Sequence, residues 1–171
     1  FYEEPSFPYV KTFDNIALIG INSIIDWSID LNPEGSSGGI NEEKLDELDK
    51  ILKSRKLDDK IKIVMIHHHF SKPEEFEHLP GHSLWLQSIS YKMDFHQPGK
   101  FLKVLKKRKV NLVLHGHTHY TGLYVKKGIT FVNSSACVIP LNDEGARKYN
   151  IISIPGKDDV KQQIGIETIL I

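Results

Sequence analysis

Short apolar runs, each bounded by polar or turn-forming residues, organise this chain. Asn15-Ile16-Ala17-Leu18-Ile19-Gly20-Ile21, the stretch 61–66 and Val110-Asn111-Leu112-Val113-Leu114 have the length and composition of buried strands. Between the first two, Pro33, Gly35, Ser36, Ser37, Gly38 and Gly39 predict a mobile loop over 30–39. Asn41 then suits a helix cap, with Glu42 and Glu43 in the favourable first turn. Leu45, Leu48, Ile51 and Leu52 recur at helical spacing and mark the face that is buried, and the helix is expected to stop near Arg55. Before the third strand, Pro98 suits the first turn of a second helix that turns Phe101, Leu102 and Leu105 inward.

The pattern then changes to strands joined by tight turns. The stretches 120–125 and 129–133 flank Lys126-Lys127-Gly128, which reads as a three-residue hairpin loop with glycine in the left-handed position. The stretches 149–154 and 160–171 flank Pro155-Gly156-Lys157-Asp158. In the last strand Val160, Gln162, Ile164, Ile166, Thr168 and Leu170 share one face, and Lys161, Gln163, Gly165 and Glu167 the other, so it is expected to be half exposed. The order strand, helix, strand, helix, strand, hairpins is that of an α/β layered fold with an antiparallel closing portion.

Two of the apolar runs end in histidines. His67-His68-His69 follows the second strand, and His115-Gly116-His117-Thr118-His119 follows the third. Ligand sites in α/β folds gather at the carboxyl ends of strands, and neutral imidazole is the commonest metal ligand. In extended backbone His117 and His119 point to one side, a spacing that serves one ion or two neighbouring ions; His115 shares their parity. Alternation separates His68 from His67 and His69, so one side of that cluster offers a single ligand and the others contact substrate or support the ligand. A lone strand-end histidine is more often satisfied by water or backbone; two clusters after two buried strands favour metal.

The remaining candidates read as structure. His78, His82 and His96, in or beside the long 70–97 stretch, read as surface residues, although loops of that length often line a cleft. Lys106-Lys107-Arg108-Lys109 closes a predicted helix, where cations meet the dipole favourably. Trp27 and Trp85 read as packing residues, and Ser134, Ser135 and Cys137 lack the surroundings of a nucleophile elbow. Lysine plus arginine equals aspartate plus glutamate at 22 each, so no overall basic field draws nucleic acid. No apolar stretch is long enough to span a membrane. The single cysteine fits a reducing compartment, so a cytoplasmic location is expected; Phe1 to Pro8 reads as loop already mid-stream, so the lack of a signal peptide there carries no weight.

Taken in order, the strand ending in His67-His68-His69, a helix, and a strand ending in Gly116-His117-Thr118-His119 resemble the calcineurin-like metallophosphoesterase superfamily. Gly-His-x-His is similar to that family's last metal motif, and an apolar strand ending in His-His, usually followed by proline, to the one before it. The resemblance implies a layered β-sandwich flanked by helices and a centre of two divalent ions such as Mn, Fe or Zn. It implies His117 as ligand to one ion and His119 to the other, and one further ligand from the first cluster. That ligand is assigned to His68, by aligning His-His-Pro on His68-His69-Phe70; because Phe70 stands where proline is usual, His67 is the alternative. His67 and His69 are then candidates for contact with phosphate.

The implied activity is hydrolysis of a phosphoester, as phosphatase or phosphodiesterase. The rival is a non-catalytic, protein-binding use of the same fold. The family's early motifs, Asp-x-His, Gly-Asp-x-x-Asp and Gly-Asn-His-[Asp/Glu], do not occur ahead of the first histidine cluster, where the family carries them; the one Asp-x-His, Asp94-Phe95-His96, follows that cluster and is out of the family's order. Residues 1–171 are therefore expected to form one domain that is the carboxyl-terminal part of such a phosphoesterase, inactive by itself.

Overall fold

The computed structural model describes residues 7–26, 28–30, 32, 35–69, 95–117, 121–134, 148–156 and 163–170. Strands β1 (Tyr9–Phe13), β2 (Ile16–Gly20), β4 (Ile61–Met65), β6 (Leu112–His115), β7 (Gly122–Lys126) and β8 (Ile129–Asn133) form one sheet in the order β1-β2-β4-β6-β8-β7. The four inner strands β2, β4, β6 and β8 run parallel, and β1 and β7 close the edges antiparallel. Two further strands, β3 (Gly38–Gly39) and β5 (Phe95–His96), pair in parallel outside this sheet. The last two, β9 (Lys148–Ser153) and β10 (Gly165–Leu170), form an antiparallel hairpin.

Helices α1 (Glu42–Leu52) and α2 (Pro98–Lys107) cover one face of the sheet. Their predicted stripes are the buried ones: Leu45, Leu48 and Leu52 from α1, and Phe101, Leu102 and Leu105 from α2, pack against Ala17, Ile19, Val64, Val113 and Phe131. Asn41 caps α1 by accepting a hydrogen bond from the Lys44 amide at 2.9 Å. The opposite face carries Ile63, Leu112 and Val132, covered by Ile152, Ile154, Ile164 and Ile166 of the hairpin. The architecture is thus helices, mixed sheet and hairpin in layers, an α/β metallophosphoesterase-like fold as expected.

Local details depart from the sequence reading in instructive ways. Lys126 pairs with Ile129, so the β7–β8 loop has two residues rather than three, Lys127 at φ 51° and Gly128 at φ 80°. Positive φ at both centres matches the twist of the strands they join. Part of the expected loop over 30–39 is strand β3, because glycine lets backbone approach where side chains would collide. In the last strand the inward alternation holds at Ile164, just before β10, and at Ile166, but Thr168 and Leu170 are exposed; Leu170 sits at the hairpin's open end, paired with Lys148, away from the residues that cover the sheet. Among the described residues no helix is long and apolar enough to cross a membrane.

The Lys106–Lys109 run does more than decorate a helix end. Arg108 holds Asp49 of α1 through two bonds, Nε to Oδ1 at 2.8 Å and Nη2 to Oδ2 at 2.6 Å, locking the two helices together. Asp49 is held below its usual value chiefly by that hydrogen bond from Arg108. Lys62, buried in β4, donates from Nζ to the Arg108 carbonyl at 3.1 Å, placing a cation at the carboxyl end of α2.

Candidate metal centre

The parallel strands β2, β4 and β6 all point their carboxyl ends at one edge of the sheet, and the polar residues that follow them meet there. After β2 comes Ser23, after β4 come His67, His68 and His69, and after β6 comes His117. Backbone bonds keep these ends in step: Ile66 N–H donates to Leu114 at 3.0 Å and Gly116 N–H to His67 at 3.1 Å.

Ring nitrogens of His67, His68 and His117 all lie within 4.8 Å of one another. Ring centroids are 4.6 Å apart for His68 and His117 and 4.9 Å for His67 and His117. His68 is buried, His117 half-buried and His67 exposed, so the cluster opens to solvent on the His67 side. The alternation expected for the first cluster stops with β4 at Met65; beyond it the chain bends, which brings both His67 and His68 to His117. His69 is buried, its ring stacked on that of His117 at 6.5 Å and 12°. His119 lies outside the described residues, as do His78, His82, Phe70, Trp27, Trp85, Ser135 and Cys137.

Each ring is held by a neighbour. His117 Nε2 lies 2.9 Å from the Ser36 carbonyl oxygen, which only accepts, so this nitrogen carries the proton. In the neutral ring Nδ1 is then the acceptor, and it meets His67 Nε2 at 3.1 Å. His68 Nδ1 is 2.8 Å from Ser23 Oγ. Burial first, then the neighbouring His117, His67 and His69 rings, push His68 down to about 4, so it is neutral at physiological pH. Neutral imidazoles with one nitrogen fixed by an oxygen are the form that binds a metal, and Ser36 and Ser23 supply those oxygens. A divalent ion bound by imidazole sits about 2.0–2.1 Å from each nitrogen, and the three donors lie close enough to converge to that distance.

His117 has φ 74°, a left-handed conformation that a side chain adopts only at a cost. The extended geometry from which its parity with His119 was read ends at His115. His115 itself turns into the core: it is 5% exposed, Nε2 is 2.9 Å from the Tyr124 hydroxyl, and its ring meets Tyr124 and Phe131 edge-on. Burial, with a smaller contribution from His69, pushes it down to about 3. His96, expected on the surface, is half-buried in β5 beside Gly39.

Three contributors escape a reading of the chain: Ser23, Ser36 and Gly38. A Cβ on Gly38 would collide with the His68 ring, so glycine is what lets β3 close over it. The signals were present as a serine two residues past an apolar strand and a Gly/Ser-rich stretch, but neither names its partner.

An α/β sheet with imidazoles gathered at the ends of its parallel strands defines the class. A profile of calcineurin-like phosphoesterases matches residues 1–121, and the chain belongs to that family. No curated protein matches it at a significant level. Among solved structures it is similar to GAP50, "the anchor in the inner membrane complex of Plasmodium", with 16% identity and a TM-score of 0.42. That match covers 69% of this chain and 31% of GAP50, so the chain spans less than a third of that relative's length. It is also similar to wild-type Vps29 of Entamoeba histolytica in complex with zinc, with 13% identity, a TM-score of 0.29 and coverage of 90% of this chain and 98% of that one. Vacuolar Protein Sorting 29 of Cryptosporidium parvum is similar at 12% identity and a TM-score of 0.29, over 90% of this chain and 97% of that one.

Proposed function

We propose that this chain carries part of the metal centre of a phosphoester hydrolase, acting as phosphatase or phosphodiesterase in the complete protein. The observation that supports this is the convergence of His67, His68 and His117 donors within 4.8 Å at the carboxyl ends of parallel strands. On this reading His68 and His117 are ligands to one ion and His119 to a second. Divalent ions held there, Mn, Fe or Zn, would supply Lewis-acid activation of water and of a phosphoryl oxygen.

The chain's own residues do the rest. Ser23 and Ser36 fix one nitrogen on each of His68 and His117; the other nitrogen of His117, which faces His67 Nε2 at 3.1 Å, is the one that would turn to the ion. His67, exposed at the mouth, can donate its ring N–H to a phosphate oxygen and offset charge that grows in the transition state. His69 is buried, with its ring nearly parallel to that of His117 at 6.5 Å between centroids. None of the family's early carboxylate motifs stands ahead of His67, so the reading expects the remaining ligands from outside residues 1–171.

The test is His117→Ala in the complete protein, assayed on an aryl phosphate ester with metal content measured alongside. Loss of both metal and turnover is expected. Unchanged turnover overturns the assignment, and a wild-type protein that holds no metal and hydrolyses nothing favours the protein-binding alternative.

A further inference from the structure

The lysines of α2 and of the β7–β8 turn meet in a groove of about 820 Å³ away from the histidine cluster. Lys103, Lys106 and Lys107 come from one face of α2, at i, i+3 and i+4, and Lys126 and Lys127 reach it from the turn. Leu102 contributes to an apolar floor, and none of the described residues lining the groove is acidic. The chain as a whole has equal numbers of acidic and basic residues, so five lysines in one concavity is a local excess that folding creates. Of the five, Lys107 also faces a carboxylate, Asp49 at 3.6 Å.

We propose that this groove binds a compact, multiply phosphorylated anion from solution. Its volume lies within the few hundred to about 1,000 Å³ common for small-molecule sites. Lysine suits phosphate as a movable point charge, and five on two elements can surround several phosphate groups at once. A bilayer fits poorly, because the groove is concave. The exposed apolar residues of the neighbouring strand, Leu123 and Val125, alternate to the other face of the sheet from Lys126. Single-stranded nucleic acid fits poorly too, since none of the described lining residues is aromatic and offers bases a stacking face.

The experiment is calorimetric titration of this chain with inositol hexakisphosphate and with tripolyphosphate in metal-free buffer containing chelator. One-to-one binding that weakens as salt rises is expected. The triple variant Lys103→Glu, Lys106→Glu, Lys126→Glu, with its circular dichroism unchanged, should bind roughly tenfold more weakly or not at all. His117→Ala should bind as the parent does, which separates this site from the histidine cluster and from the hydrolase reading. A flat titration of the parent, undiminished binding by the triple variant, or loss of binding in His117→Ala overturns the proposal. So does tighter binding to phosphoinositide vesicles, oligothymidylate or polyglutamate than to the soluble polyphosphates.

Discussion

A Cβ on Gly38 would stand 2.7 Å from Nδ1 of His68 and nearer still to the ring's Cβ and Cγ. The absence of a side chain at one position therefore sets the position of an imidazole thirty residues away. Gly38→Ala forces either β3 or the ring to move, and over-packing of this kind costs about 1–3 kcal/mol. Urea denaturation of the variant should show that loss, and heteronuclear NMR should show the His68 ring signals displaced.

Ser23→Ala removes the oxygen that meets His68 Nδ1 at 2.8 Å inside the protein. A buried polar atom left without its partner costs about 1–3 kcal/mol, so the variant should be destabilised by that order. If His68 is a ligand as proposed, affinity for a reporter ion such as cobalt should also fall by roughly 10–100-fold, read from its visible spectrum. A variant as stable as the parent would show that the hydrogen bond is not needed to satisfy His68.

Acid should weaken the fold through two buried rings. His68 is held at about 4 and His115 at about 3, against 6.5 for an ordinary histidine. As pH falls below 6.5 the unfolded chain takes up these protons while the native state does not, so stability drops with falling pH. The drop continues until the native rings themselves protonate, near pH 4 for His68 and pH 3 for His115. Urea midpoints between pH 7 and pH 4.5 should fall steadily, and less steeply in His68→Asn.

The Asp49–Arg108 clamp adds a second loss of stability, in more strongly acid solution. Asp49 is held below its usual value, chiefly by the hydrogen bond from Arg108, so its contribution is present at neutral pH and lost as pH falls through that lowered value. Asp49→Asn should cost about 1 kcal/mol at pH 7, since the pair is largely but not wholly shielded from water. The gap between variant and parent should close in strong acid, as followed by thermal unfolding.

Elements with a strong local period were legible in the chain. Leu45, Leu48 and Leu52 mark α1 because one turn of helix brings them to one side whatever lies opposite, and Asn41 caps it through a bond three residues away. The short β3–β5 pair was not legible: Gly38–Gly39 has no pattern of its own and becomes a strand only because Phe95–His96 lies beside it. Parity arguments lose their basis past the ends of strands. His67 and His117 sit where the backbone has left the extended conformation, and there a count of residues no longer says where a ring points.

The sequence by itself determined that two buried strands would each end in histidines and that two helices would each turn one apolar face inward, because periodic burial and capping act over a few residues. Only the tertiary structure decided which rings share a centre, that Ser23 and Ser36 hold them, that His115 turns to Tyr124 instead, and that lysines twenty residues apart in the chain meet in one groove. Those outcomes depend on parallel strand order and on which backbone can approach which ring, and both arise from contacts between segments far apart in the chain.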